Sequence, residues 1–429
     1  MTAAGPRRAT FRDVFAVREF RAVWLAQLLS VAGDRLALVA LTLQVYDRTG
    51  SPVLAAVTYA AGYLPWVIGG LFLAGLADRR PRRSVMVTCD AVRAVLVACM
   101  AIPHVPIWAL VALLFVVTMF APPFESARAA ITADILQGER YALGTAILQT
   151  THLAGEVVGA VGGGVAVAFL GVGRSLVIDS ATFVVSGLLI ALGVLARPAA
   201  AAPQASRVSS LARMRDGLRL VFGDRALRIL LLLAWLVACY TIPQAVAAPY
   251  VHKLGGGPIA TGLVLGSTVA STMVATPLFT RFARSRLRLV LMGPLAVLTC
   301  ATLVLTGLGP GLAASLAIFS VSAAFGVYQI AANTAFVVRV PNEQRAQAFG
   351  IANMGVIVGQ GAAFVAAGAA AEVIPPAAVI AIGGGIGAVV AFVLTLRWRR
   401  VSPPGGRHAA ARRPGDAAAS SSVPLPGSR

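Results

Sequence analysis

The chain has 429 residues, 58% of them hydrophobic and only 12% charged, with a formal net charge of +20. A soluble domain of ordinary composition carries about twice that charged fraction, so a membrane protein is the direct reading. The positive balance sits in short arginine clusters between apolar runs, which argues against a nucleic-acid partner.

Residues 1–21 read as a basic arm. The first apolar run, from about Ala22 to Tyr46, carries Gly33-Asp34-Arg35 at its middle and ends in the turn D-R-T-G-S-P. It is too long for a signal peptide and lacks a cleavage site, so it is expected to stay as a membrane helix. A second helix with Pro65 near its centre returns to a basic turn, Asp78-Arg79-Arg80-Pro81-Arg82-Arg83. The third carries Asp90 and Arg93 and ends at Pro103. The fourth begins near Ile107 and runs through P-P-F-E-S-A-R to about Leu136. The fifth and sixth follow from about Leu143 to Leu170 and from Ser175 to Leu195.

Residues 196–225 change to Ala, Pro, Ser and Arg and read as a linker; its second part, Leu211 to Phe222, could form an amphipathic helix on the inner leaflet or remain a solvated basic loop. Residues 226–397 hold six more apolar runs, with turns near Lys253–Gly257, Gly307–Gly311 and Ile374–Pro376. Prolines 243 and 249 should bend the first of them. Residues 398–429 have no apolar period and read as a disordered tail.

A helix needs roughly 20 apolar residues to cross the hydrocarbon. The expected fold is therefore all-α, with twelve transmembrane helices in two six-helix bundles, 22–195 and 226–397. Basic residues favour the cytoplasmic side. Assigning the turns that way leaves only Arg48, Arg174 and Lys253 outside and puts both termini in the cytoplasm. The halves also align at an offset of 204 residues, which pairs Arg80 with Arg284, Arg82 with Arg286 and Gly155 with Gly359.

Several chemistries are excluded by motif. The single lysine, Lys253, precedes Leu254, so no P-loop is present, and neither G-x-S-x-G nor H-E-x-x-H occurs. Cys89, Cys99, Cys239 and Cys300 form no C-x-x-C and read as small apolar residues in helices. No metal site, cofactor or catalytic set is indicated.

Ionisable groups inside a membrane are functional candidates by default. Here they crowd the first half: Asp34, Arg35, Asp90, Arg93, Glu125, Arg128, His152, Glu156 and Asp179. Asp34 is the leading candidate for proton coupling; the alternative is a permanent pair with Arg35 or a neighbouring helix. His152 and Glu156 are four apart and share a helix face, as a proton relay or a structural pair. Asp90 and Arg93, three apart, read mainly as an internal charge pair. Asp179 reads as a local cap or pair. The second half offers a neutral polar wall, with Tyr240, Gln244, Tyr328, Gln329, Asn333, Asn353 and Gln360 as cavity candidates.

The basic turn, A-G-L-A-D-R-R-P-R-R, resembles the loop G-x-x-x-D-R-x-G-R-R between the second and third helices of the major facilitator superfamily. Asp78, Arg79, Arg82 and Arg83 match; Ala74 and Pro81 replace its glycines. The stretch T-C-D-A-V-R-A at Thr88, with G-D-R-L-A-L-V-A at Gly33, Y-D-R-T-G-S-P at Tyr46 and I-D-S-A-T-F-V-V-S at Ile178, is similar to the drug, macrolide and siderophore exporters of that superfamily. Gly155, Gly159, Gly163 and Gly164 match the antiporter pattern G-x-x-x-G-P-x-x-G-G, with Ala160 at its proline.

The resemblance implies a secondary transporter of the cell (inner) membrane, exporting a small amphipathic molecule by proton antiport. It would work as a monomer with alternating access, partnered by substrate, protons and the lipid bilayer. The basic turn would gate it, with Arg128 as a partner of Asp78. An importer or uniporter of the same fold, or a transport-dead scaffold or sensor, are the alternatives.

Overall fold

The computed structural model describes residues 10–73, 80–198 and 210–401. Asp78 and Arg79 of the basic turn therefore lie outside the described residues, as do residues 1–9 of the N-terminal arm and the tail from residue 402. Every regular element among the described residues is helical. The N-terminal part comprises α1 (Phe11–Phe15), α2 (Arg18–Thr49), α3 (Pro52–Ala61), α4 (Pro65–Phe72), α5 (Arg82–Met100), α6 (Ile107–Met119), α7 (Ala121–Ile135) and α8 (Glu139–Gly193). After the linker come α9 (Ser210–Gly223), α10 (Arg225–Trp235), α11 (Val237–Tyr240), α12 (Ile242–Ala245) and α13 (Ala247–Lys253). Then follow α14 (Pro258–Phe282), α15 (Ser285–Leu303), α16 (Leu312–Phe325), α17 (Tyr328–Arg339), α18 (Arg345–Val373) and α19 (Pro376–Val401).

Ten helical spans among the described residues are long and apolar enough to cross a membrane. Their outer surfaces are apolar too: Phe169 is 76% exposed and Leu192 86% exposed. In water such a surface would mark an aggregation or interaction site; around a bundle of membrane-length helices it marks the lipid face.

Prolines divide the longer runs, because each lacks an N–H for the carbonyl four residues before it. The chain breaks between α3 and α4 just ahead of Pro65, and at Phe120 ahead of Pro122 and Pro123. The stretch Arg225–Lys253 is cut into four pieces, with interruptions at Leu236, Thr241 and Val246 around Pro243 and Pro249. Helix α2 ends at Gly50, whose φ of 65° is left-handed, and α3 then starts with Ser51 as N-cap and Pro52 in its first turn. The 55 residues of α8 would be about 80 Å long if straight, far more than a bilayer. Gly171, at φ 77° and ψ 167°, breaks it into two limbs.

The linker's second part is helical, as α9. It is docked rather than free: Val221 is fully buried, and Gly217 lies against Ile351 of α18. Beyond α8, Arg197 is held by both carboxylate oxygens of Glu19, at 2.6 and 2.9 Å. These bonds raise its guanidinium pKa above the usual value.

The arrangement of the apolar cores positions the site. At the end carrying the arginine-poor turns, one continuous core takes residues from α2, α3, α13 and α18, among them Leu41, Tyr59, Val251 and Phe364. At the arginine-rich end the cores among the described residues do not join the two sets of helices. Two belong to the N-terminal helices, one holding Met86, Phe124 and Ile190 and a smaller one holding Phe20, Leu136 and Leu148; another, of the C-terminal helices, holds Leu230, Tyr328 and Trp398. The N-terminal and C-terminal helices are thus packed together at one end and apart at the other.

Close contacts seal the joined end. Glu372 of α18 accepts from the Ser51 hydroxyl and from the Val53 N–H at 3.1 Å, at the start of α3. Gly164 of α8 crosses Gly262 of α14 so closely that a methyl on Gly164 would lie 2.5 Å from the Pro258 carbonyl oxygen.

Candidate functional site

Two cavity lobes of about 310 and 330 Å³ lie between the N-terminal and C-terminal helices and meet at Glu156. The lobe on the N-terminal side is lined by Asp34, Arg35, Arg93, Glu125 and His152, and faces Asn353 and Gln360 of α18. The other is lined by Tyr240, Gln244, Gln329 and a row of threonines, Thr268, Thr272 and Thr276, spaced one helical turn apart on α14. A third, more open space, lined by Asn333, Asn353, Tyr240 and Gln329, continues towards the arginine-rich end.

The charged wall is built from three arginine–carboxylate pairs. Asp34 and Arg35 are adjacent, so they point about 100° apart on α2 and find different partners. Arg35 pairs with Glu156, with Nε to Oε1 at 3.0 Å, and donates to the Tyr63 hydroxyl at 2.8 Å. His152 Nε2 stands 3.6 Å from the same Glu156 oxygen. Asp34 pairs with Arg93, which also donates to Ser30 at 3.0 Å and stacks 4.3 Å above the Phe183 ring. Arg128 pairs with Glu125 and donates to Gln27 Oε1 at 3.1 Å. The Asp34 side chain is 35% exposed and that of Glu156 13%, so both carboxylates reach the cavity while held by arginine. One polar link crosses between the walls: Tyr59 donates to Gln244 Oε1 at 3.3 Å.

Several expectations are revised by this geometry. Asp90 and Arg93 do not close on each other; Arg93 reaches across to α2, and Asp90 instead accepts from Ser186 at 2.6 Å. Asp179 caps no helix; it accepts from Thr182 at 3.4 Å, a local pair as expected, and is fully buried with its carboxyl against Gly33. Tyr328 does not line the cavity: it is fully buried and donates to the Leu233 carbonyl at 2.9 Å. Of the four matched glycines, Gly155, Gly159 and Gly163 pack on α2, and only Gly164 meets the C-terminal helices. In the basic turn, Arg82 pairs with Asp134 and Arg83 donates to the Ala191 carbonyl. Any contact of Asp78 lies outside the described residues. Tyr59, Tyr63 and the threonine row were not singled out from the sequence, although the four-residue spacing of each was visible there.

A bundle of membrane-length helices around a polar cavity, closed at one end and open at the other, defines a membrane transporter. The chain belongs to the Major Facilitator Superfamily, whose family profile matches residues 23–353. No curated protein sequence matches it. Among solved structures, a POT family transporter in complex with 5-aminolevulinic acid is similar at a TM-score of 0.71 and 10% identity, covering 92% of this chain and 99% of its own. The nucleoside transporter NupG is similar at 0.70 and 14% identity, covering 89% and 99%. A bacterial homolog of the human lysosomal transporter Spinster, inward-facing and unoccupied, is similar at 0.67 and 14% identity, covering 92% and 100%. At these identities the likeness is one of fold.

Proposed function

We propose that this chain is a twelve-crossing secondary transporter of the cell membrane that exports a small amphipathic molecule in exchange for protons. The ten membrane-length spans give twelve crossings if α8 counts as two, divided at Gly171, and if α5 is added. Helix α5 falls short on composition alone, since Arg82, Arg83, Asp90 and Arg93 lower its hydropathy. With the arginine-rich turns in the cytoplasm, both termini are cytoplasmic and the cavity opens inward. The two bundles, 22–195 and 226–397, rock about that cavity to expose it on either side.

The observation that carries the reading is the asymmetry of the cavity. Two carboxylates held by arginines, Asp34 and Glu156, line one wall beside His152, and the opposite wall is neutral. Protonation of Asp34 removes the charge that holds Arg93, and protonation of Glu156 removes the charge that holds Arg35. Each proton therefore changes a contact between helices, which is what coupling requires. The neutral wall, with its threonine hydroxyls, amides and Phe319, suits a ligand with both apolar and hydrogen-bonding surface. The basic turn with Asp78 acts as the cytoplasmic gate, and no cofactor takes part.

The test is dye movement in everted membrane vesicles under an imposed pH gradient, with a panel of lipophilic cationic and neutral dyes. Gradient-driven uptake into the vesicles, which corresponds to export from the cell, is expected. Flux in the opposite direction would make the chain an importer, and flux indifferent to the gradient would remove proton coupling.

A further inference from the structure

Behind the cavity wall lies a group of acids that the transport cycle above does not use. Asp90 of α5 and Asp179 of the second limb of α8 are both fully buried, and both lie near Arg93, which is 1% exposed. Asp34 completes the set from α2. The other groups around it are neutral: Ser30 on Arg93, Ser186 on Asp90, Thr182 on Asp179, and Cys89 beside the pair on α5. Three carboxyls thus surround one guanidinium, and it is the cluster's single cation.

The polar atoms are incompletely satisfied. Asp90 Oδ1, Asp179 Oδ2 and Arg93 Nε are buried without a hydrogen-bond partner. An ionised carboxylate in that position would be both unpaired and unsolvated, the most unfavourable state for such a group; it takes a proton instead. One guanidinium offsets one carboxylate, so a neutral cluster contains two carboxylic acids.

We propose that Asp34, Asp90, Asp179 and Arg93 form an electroneutral proton store, in which two of the three carboxyls carry protons and Arg93 pairs with whichever is ionised. In the structure that partner is Asp34, the one of the three carboxyls that lines the cavity. Asp179 lies against the backbone of Gly33, next to Asp34, and is the nearer donor. Transfer breaks the O–H bond of Asp179 and forms one on Asp34, while the guanidinium moves to the new Asp179 carboxylate. Asp34 then releases that proton to the cavity, and the reverse sequence refills the store. This extends the proton-coupled reading, but the protonation count itself does not depend on transport.

Infrared difference spectroscopy of the purified, reconstituted protein at neutral pH reads that count as the carbonyl stretch of buried protonated carboxyls. The wild type should give the intensity of two such groups. Asp34→Asn, Asp90→Asn and Asp179→Asn should each leave one: the last two remove a protonated carboxyl, and in the first one of the two remaining acids ionises to pair with Arg93. The Asp90→Asn/Asp179→Asn double variant should leave none. Asparagine has the shape of a neutral carboxyl, so the single variants at 90 and 179 should remain folded. A wild type without protonated carbonyl intensity, or single variants that leave it unchanged, would overturn the store.

Transport separates this proposal from the one beneath it. Asp179→Asn should keep substrate counterflow but lose at least tenfold in gradient-driven flux. If Asp34→Asn loses coupling and Asp179→Asn does not, the relay is wrong and proton antiport stands. If the wild type shows no coupling at all, antiport is wrong, and the carbonyl count alone decides whether the store exists.

Discussion

The crossing of α8 and α14 is a close backbone seal at the arginine-poor end, and replacing Gly164 with alanine tests whether that seal sets the direction in which the cavity faces. The added methyl would lie 2.5 Å from the Pro258 carbonyl oxygen and 3.0 Å from Gly262 Cα, both backbone atoms that cannot rotate away. The first distance is about 0.9 Å short of ordinary van der Waals contact, which begins near 3.4 Å, so the helices must separate. Overpacking of this kind costs about 1–3 kcal/mol. If the crossing exists only when the cavity opens inward, the whole penalty falls on that state, and the inward-to-outward ratio drops roughly 5- to 150-fold. Gly262→Ala meets the Ala160 carbonyl at 2.6 Å and should act alike. The double variant should cost less than the sum, because the first methyl already parts the helices. Spin-label distances across the turns at Thr49 and Gly256 would report the populations. Unchanged distances in both single variants would refute a gating role for this contact.

Four further outcomes follow from the contacts. Glu156→Gln leaves Arg35 without its carboxylate; for a pair partly open to the cavity, a loss of about 2 kcal/mol in thermal stability is expected, below the range for fully buried pairs. Arg35→Gln in the same chain should restore part of that loss. Gly33→Ala drives a methyl into the Asp179 carboxyl and Thr182 hydroxyl, and should destabilise by about 1–3 kcal/mol. Gly162→Ala, with nothing within 4 Å of the new methyl, should be neutral or stabilising by up to about 1 kcal/mol in the same melting assay. Glu372→Gln weakens a charge held at the start of α3; the free energy favouring the inward-facing state should fall by about 0.3–1 kcal/mol at low ionic strength, less in high salt, as read by the same spin-label distances.

The sequence was informative where one residue acts alone on its own helix. Prolines 243 and 249 marked the broken stretch 225–253, because each lacks an N–H for the helix ladder. The run through Pro122 and Pro123, expected to be continuous, is instead interrupted at Phe120, whereas Pro277 and Pro294 lie inside α14 and α15 without a break. The concentration of buried charge in the N-terminal half was likewise legible, since each such residue stands out against an apolar run. Pairing was not. Asp90 and Arg93 share a face at a spacing of three, yet the partner of Arg93 is Asp34, because a long arginine side chain can reach a neighbouring helix. Which way a helix is rotated in the bundle cannot be read from its own residues when most faces are apolar. Tyr328 was therefore assigned to the cavity although it is fully buried, and the full burial of Asp179 against α2 was not foreseen. The same limit applies to the glycines of α8, three of which face α2 rather than α14.

Proton movement driven by substrate in proteoliposomes tests the central claim most directly. With a pH dye inside and an exported dye from the vesicle panel as substrate, a substrate gradient should drive protons in the opposite direction in the wild type. Asp34→Asn should abolish that proton signal while still exchanging labelled for unlabelled substrate. Substrate flux without proton movement in the wild type, or an unchanged proton signal in Asp34→Asn, would contradict the account.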